Sequence, residues 1–399
     1  MCGIVGYVGY DEAAGKIIEG LKKLEYRGYD SSGIAILSDK GIELNKCKGE
    51  IKNLENMIAG RVPSGTCGIG HTRWATHGAP SDVNSHPHMD QSGRVALVHN
   101  GIVENYVELK ETLVNEHGIK FKSETDSEVI AQLVGVKYNA NGGDLEKAVY
   151  DATKEMRGTY AIGVIAEDTP NKIVAYRKEA PLIAGLGKKS NFIASDIPAL
   201  LKYTNDIFLI ENDEMVICTP DSITIKDKDG KEVKREAMKI TWSVEDAEKG
   251  GYENFMLKEI NEQPKVVAET LNRRIDEDGK IKLDGINLTK EELDKYNKIY
   301  IVACGTAYHA GLVGKYVIEK MAGIAVEVDV ASEFRYRDPF IDEKTLFIAI
   351  SQSGETLDTL MSLRLAKEKG ARVLSVVNVV GSSIARESDD VFYTWAGPE

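Results

Sequence analysis

Cys2 occupies the second position of MCGIVGYVG. The small side chain there permits removal of Met1, after which the residue would carry a thiol and a free α-amine, a nucleophile and a base together. An α-amine titrates near about 7.7 to 8.0, so near neutral pH a usable fraction can accept the thiol proton directly or through water. Gly3 and Gly6 would let backbone and substrate approach that residue closely. Alone, Cys2 is equally explained as an incidental small residue, but other segments hold what a thiol nucleophile needs. HTRWATHG (His71 to Gly78) contains Arg73, whose guanidinium can grip a carboxylate through two parallel hydrogen bonds. HNG (His99 to Gly101) pairs the amide of Asn100 with the N–H of Gly101, the two donors an oxyanion hole requires. In ETDSE (Glu124 to Glu128), Thr125 or Asp126 is either a helix N-cap or, for Asp126, a carboxylate free to receive an ammonium.

The elements that must position these groups are mostly strands. Up to about residue 225 the chain reads as short β-branched runs punctuated by glycine, among them GIVGYVG, SGIAIL, RVALVHNGI, TYAIGVIAE and EMVICTP. HTRWATHG is expected as a turn-like loop after GIG, and HNG as the end of the strand RVALV. Two longer helical patterns interrupt the strands, Ala13 to Leu24 and Asp126 to Tyr138, so helices covering stacked sheets are expected. From 226 to 295 a charged stretch gives way to the helical segment ENFMLKEINEQPKVVAETLNRRI, which reads as a linker and lead-in helix. From residue 296 the rhythm becomes strand, glycine turn, helix, and implies a doubly wound parallel sheet.

Two turns in this last part have the makings of an anion site. SQSGET (Ser351 to Thr356) follows the apolar strand TLFIAI and opens a helix, where free N–H groups, the helix dipole and the hydroxyls of Ser351, Ser353 and Thr356 with the Gln352 amide can converge on a phosphate. A plain N-cap and turn without ligand is the competing reading. CGTAYHAG (Cys304 to Gly311) follows KIYIV at a strand's carboxyl end, where open α/β sheets bind ligands. Neither turn has the lysine of a P-loop or a GxGxxG fingerprint, which disfavours nucleoside triphosphates and dinucleotides.

Composition narrows the class. A chain of 399 residues should hold at least two domains, and 42% hydrophobic with 28% charged residues fits a globular protein without a membrane segment. The net charge of −13, with both signs interspersed, argues against a nucleic-acid partner. Cys2, Cys47, Cys67, Cys218 and Cys304 are widely spaced without a CxxC pair, so neither disulfides nor a metal site is indicated. The first ten residues lack the features of a secretory signal, and a cytoplasmic location is expected.

CGIVG, YRGYDSSG (Tyr26 to Gly33), HTRWATHG, HNG and ETDSE together resemble, in order, the class II glutamine amidotransferases, N-terminal-nucleophile hydrolases with a four-layer αββα fold. The resemblance implies that Cys2 attacks the side-chain amide of L-glutamine, with Asn100 and Gly101 stabilising the oxyanion. It implies that Arg73 binds the glutamine α-carboxylate and Asp126 its α-ammonium, that Thr76 and His77 line the pocket through backbone groups, and that Arg27 and Gly28 lie in the loop beside the nucleophile. Trp74 corresponds to an indole that helps gate the passage of ammonia, and a packing role for it is the alternative.

CGTAYHAG, SQSGET, ASEFRYRDP (Ala331 to Pro339) and NVVGSS (Asn378 to Ser383) resemble a sugar isomerase domain. The order of the two domains narrows the resemblance to hexosephosphate aminotransferases, which form glucosamine 6-phosphate and glutamate from fructose 6-phosphate and glutamine. It implies a phosphate pocket at Ser351, Gln352, Ser353 and Thr356, with Cys304, Gly305 and Thr306 around the sugar, and no cofactor. Ala307 departs from the serine of many relatives. The expected organisation is therefore an α+β amidotransferase sandwich at 2–225, the linker and lead-in helix at 226–295, and an α/β sugar isomerase domain at 296–399. That domain is expected to be incomplete, because TWAGPE follows a strand with no closing helix, and the family continues into a second isomerase domain. The chain alone is expected to act as a glutaminase, and the full-length protein as a homodimer. A regulatory sugar-phosphate module with a vestigial glutaminase is the alternative, disfavoured because every amidotransferase motif is intact. Phosphoribosyl pyrophosphate amidotransferase and asparagine synthetase fit the second half poorly.

Overall fold

The computed structural model describes residues 2–25, 28–75, 78–240, 251–252, 254–276 and 278–397. They form two compact units, Met1–Ala247 and Glu248–Glu399. The strands of the first unit are β1 (Gly3–Gly9), β2 (Ser31–Ser38), β3 (Gly41–Lys48), β4 (Cys67–Arg73), β5 (His88–Met89), β6 (Val95–Val103), β7 (Gly158–Ala166), β8 (Ile173–Lys178), β9 (Ile183–Leu186), β10 (Ser190–Ala194), β11 (Asp206–Leu209), β12 (Glu214–Cys218), β13 (Ile223–Lys226) and β14 (Met238–Lys239). Its helices are α1 (Ala13–Lys22), α2 (Ile51–Ile58), α3 (Tyr106–His117), α4 (Asp126–Ala140) and α5 (Leu145–Glu155). One sheet has the order β14-β11-β9-β10-β1-β4-β2-β3 and the other β13-β12-β8-β7-β6-β5.

Side-chain alternation along the strands sorts these elements into four layers, since successive residues face opposite sides of a sheet. In β1, Val5 and Tyr7 pack with Ile17 and Leu21 of α1 and Leu54 of α2, while Ile4 and Val8 face the other sheet and meet Ala96, Val98, Ala161 and Ile173. In β6, Val95 and Leu97 turn outward onto Ile130, Leu133 and Val134 of α4. The result is the expected αββα sandwich. On β4 the residues facing α1 are Gly68 and Gly70. A Cβ at Gly70 would lie 2.4 Å from Ile17 Cγ2, so side chains there would push the helix off the sheet.

Several elements differ from the sequence expectation. His71, Thr72 and Arg73 belong to β4 and are not in a turn, because they pair with Ile4, Gly3 and Ser31 on the neighbouring strands. HNG lies inside β6, which continues to Val103 in register with β7. The first unit also runs past residue 225. Lys239 and Met238 pair with Asp206 and Ile207 of β11, and Arg235 donates to both Glu214 carboxylate oxygens, at 2.9 and 2.8 Å. Part of the expected linker is thus the edge of the first sheet.

The second unit contains α6 (Phe255–Asn272), which falls within the expected lead-in helix, and α7 (Lys290–Leu293). Its sheet comprises β15 (Lys298–Ala303), β16 (Ala325–Val330), β17 (Thr345–Ser351), β18 (Arg372–Val377) and β19 (Asp390–Tyr393), in the order β16-β15-β17-β18-β19. Every pairing in it is parallel. Phe334 of α9 (Ala331–Phe334), Leu363 of α10 (Leu357–Glu368) and Ile384 of α11 (Ser383–Glu387) cover one face. Ile318 of α8 (Gly305–Ala322) packs on the other. The sheet is therefore doubly wound, and its order reverses between β15 and β17, the place where such sheets bind ligands.

Candidate active site

Cys2 lies at the entry to β1, next to the end of β4. Its Sγ accepts from the Trp74 N–H at 3.3 Å and lies 3.5 Å from the Trp74 carbonyl oxygen. Burial pushes the thiol pKa up, against the opposing pull of the Trp74 N–H and the Arg73 charge. The thiol therefore holds its proton near neutral pH, and its use as a nucleophile requires a base.

Cys2, Arg73, Trp74, Gly101 and Asp126 line one crevice together with His86 and His99. Arg73 is buried at the end of β4 and donates from Nη2 to the Gly78 carbonyl at 3.0 Å. Asn100 projects between the two sheets, and its Nδ2 donates to the Cys2 carbonyl at 3.1 Å, which leaves its second amide hydrogen available. Gly101 has φ +119, a backbone state that exempts it from regular strand geometry and that L-residues avoid. The N-cap of α4 is Thr125, whose side chain accepts from Glu128 N at 3.2 Å. That leaves Asp126 uncommitted to capping. Its Oδ2 accepts the Val103 N–H at 3.0 Å and so fixes the carboxylate against β6. Gly28 abuts the Arg73–Trp74 peptide, where a Cβ would come within 2.8 Å of Trp74 N. Trp74 itself is half exposed and packs edge-on against Tyr29 at 5.7 Å. Arg27, Thr76 and His77 lie outside the described residues.

Two further residues belong to this assembly and escaped sequence reasoning. Asp30 accepts from Ala75 N and from Ser31 Oγ, and its own N–H donates to the Arg73 carbonyl at 3.0 Å. It thereby holds the Arg73–Ala75 stretch whose Trp74 N–H reaches the thiol. The second is His71, 2.9 Å from Asn100 Oδ1. Both stand inside quoted motifs, YRGYDSSG and HTRWATHG, but their partners are set by cross-strand register, which a motif does not display.

Four buried histidines cluster at the crevice, two of them, His86 and His99, in its lining. His71 stacks on His86 at 4.1 Å, His86 meets His88 edge-on at 4.8 Å, and His99 Nδ1 lies 2.8 Å from Ser127 Oγ. Burial, reinforced by neighbouring positive charge, brings His71 down to about 3 and holds His86 and His88 well below the usual histidine range. These groups are neutral in the folded chain, whereas the unfolded chain protonates them below about pH 6.5. Their lowered pKa values contribute stability above that pH, and the contribution is lost as pH falls toward the folded values, by up to about 1.4 kcal/mol per pH unit for each histidine. The expected result is a urea midpoint that drops steeply between pH 6.5 and 5, with a shallower slope in His86→Phe; an unchanged slope in that variant would contradict the assignment.

In the second unit the two candidate turns adjoin at the switch point, since β15 and β17 are neighbours in register Ala303↔Ile350. Ser351 Oγ accepts the Gly354 N–H at 3.0 Å and lies 3.2 Å from Thr356 Oγ1. Thr356 is the N-cap of α10 but makes no side-chain cap bond, so its hydroxyl does not consume the first-turn N–H groups. The backbone of Gln352 accepts from Asn378 N at 3.1 Å, and Ser353 Oγ accepts from Glu355 N at 3.2 Å. At the other turn Cys304 precedes α8 without capping it, Gly305 has φ +59 with open space around it, and Thr306 is exposed. Two helix N-termini thus open at one end of the sheet.

Comparison with known proteins fits both halves. Residues 71–202 match the glutamine amidotransferase domain model and residues 292–399 the SIS domain model. The chain is similar to glutamine–fructose-6-phosphate aminotransferase (isomerizing) of Clostridium tetani, 60% identical over 399 residues that cover all of this chain and 65% of that protein. The same-named protein of Clostridium perfringens is 59% identical with the same coverage. Among solved structures, glutamine phosphoribosylpyrophosphate amidotransferase from B. subtilis superposes with a TM-score of 0.52 at 18% identity, covering 94% of this chain and 81% of that one, a likeness of fold alone. The two matches place a glutamine amidotransferase domain ahead of a SIS domain. The chain spans 65% of the length of these curated relatives. Among the described residues no helix is long and apolar enough to cross a membrane.

Proposed function

We propose that the first unit hydrolyses L-glutamine to glutamate and ammonia with Cys2 as nucleophile. The observation that carries this reading is the meeting of Cys2, Arg73, Gly101 and Asp126 in one crevice, with Asn100 bonded to Cys2. Removal of Met1 leaves the Cys2 α-amine to take the thiol proton as sulfur attacks the side-chain amide carbon. The carbonyl oxygen gains the electron pair and is met by the Gly101 N–H and the second Asn100 hydrogen. Collapse breaks the C–N bond, the α-amine returns the proton to the leaving nitrogen, and ammonia departs from a γ-glutamyl thioester. Water, deprotonated by the same amine, then releases glutamate and restores the thiol. Arg73 pairs with the glutamine carboxylate and Asp126 with its ammonium, which sets the amide over Sγ. Glutamate release from glutamine by the purified chain tests this, and no release from a chain whose mass shows Met1 removed would refute it.

The second unit binds the phosphate of fructose 6-phosphate at SQSGET, and in the longer family protein the ammonia passes beside Trp74 to that sugar to yield glucosamine 6-phosphate. Support comes from the uncapped α10 N-terminus beside Ser351 and Thr356 and from the family. By calorimetry, Ser351→Ala is expected to weaken fructose 6-phosphate binding by about tenfold, the loss of one hydrogen bond to a charged group; equal affinity would move the phosphate elsewhere.

A further inference from the structure

We infer that His71 is a positioning residue that locks the Asn100 amide with its N–H groups toward the nucleophile. The inference rests on the glutaminase reading for its consequence, but its geometry stands apart from it. The Cys2 carbonyl oxygen has only acceptor capacity, so the Asn100 atom 3.1 Å from it must be the amide nitrogen. The other amide atom, facing His71 Nε2 at 2.9 Å, is then Oδ1. The same Nε2 lies 3.0 Å from the His99 carbonyl oxygen, a second acceptor. A ring nitrogen facing two acceptors carries the proton, which makes His71 the Nε2–H tautomer with a bare Nδ1. No hydrogen-bond partner for that Nδ1 exists among the described residues, so the ring is not drawn toward the other tautomer.

Position follows from register. His71 projects between the sheets from β4, opposite Ile4 of β1, and Asn100 comes from β6 of the second sheet. The bond therefore ties the nucleophile's sheet to the oxyanion strand. Stacking on His86 holds the imidazole plane. Burial keeps His71 neutral, so its single N–H stays a fixed donor across the working pH range. Without it, only the bond to the Cys2 carbonyl resists a half-turn of the Asn100 amide, which would put an acceptor where the oxyanion forms.

His71→Phe keeps a ring on His86 but removes the donor, and His71→Gln restores an N–H near the Nε2 position. The expected pattern is a kcat for glutamate release lowered about 10- to 100-fold in His71→Phe with KM within about threefold, because the oxyanion forms only in the transition state, and a kcat within about fivefold of wild type in His71→Gln. In an Asn100→Ala background, His71→Phe is expected to cost less than about twofold, since its target is gone. Equal losses in both backgrounds, or equally impaired Phe and Gln variants, would overturn the inference and point to a role in packing. Imidazole nitrogen NMR of the unmodified chain supplies an activity-independent readout: a proton on His71 Nδ1 would also overturn it. Failure of the wild-type chain to release glutamate would count against the glutaminase reading, while the tautomer would still decide the assignment of His71.

Discussion

Replacing Cys2 with alanine is expected to lower glutamate release by on the order of 10³-fold or more, the scale of nucleophile knockouts in which oxyanion hole and binding groups survive. Glutamine itself should still bind. Arg73 and Asp126 are anchored through Gly78 O and Val103 N, not through the thiol. Alanine also removes a single uncharged atom, so the crevice keeps its shape. Calorimetric titration of glutamine into Cys2→Ala, run beside the rate assay, separates loss of chemistry from loss of the site. A residual rate within tenfold of wild type would mean that another group attacks the amide.

Gly101→Ala is expected to damage stability and catalysis together. At φ +119 the position lies where L-residues are strained, a cost of about 1 to 3 kcal/mol before any contact is counted. The added Cβ would then sit 2.0 Å from the Thr159 carbonyl oxygen, on a backbone that cannot swing aside as a side chain could. Relief requires opening the β6–β7 ladder around Gly101↔Tyr160, which carries the Asn100 donor away with it. A urea midpoint lowered well beyond that of Gly118→Ala, together with a kcat loss above about 10²-fold, is the expected result. Gly118 is a fair control because it has φ +66 but open space around it. Wild-type stability in Gly101→Ala would show that the strand relaxes freely there.

What could be read before the structure was known follows the range of the forces involved. Alternation in GIVGYVG and the 3.6-residue rhythm of Ala13 to Leu24 are local, and β1 and α1 appear within two residues of those bounds. Helix α2 carried a comparable signal, Ile51, Leu54 and Ile58 on one face, and went unread because it is short. Helix α3 buries only Leu109 and Leu113 and exposes Val107 and Val114, so its apolar stripe is weak. The residues proposed for the site were legible by chemical type, since arginine, aspartate and an Asn-Gly pair have few comparable uses in such spacing. Their supports were not. Asp30 and His71 act through partners that only register brings near, and the role of 226–240 depends on Met238 finding Ile207 across the sheet.

The placing of β1 has a dynamic consequence. Ends of strands ordinarily loosen first and exchange their amide protons quickly. Here the strand leading from Cys2 is flanked on both sides, by β10 and β4, and its second residue is pinned by Ile4 N to Ser195 Oγ and Ser195 N to Ile4 O, each at 3.0 Å. Local fraying there must part the β4 ladder and break both Ser195 bonds. The sulfur therefore rides on a strand end held against opening, and on the proposed function the adjustments that admit glutamine come from the groups around it.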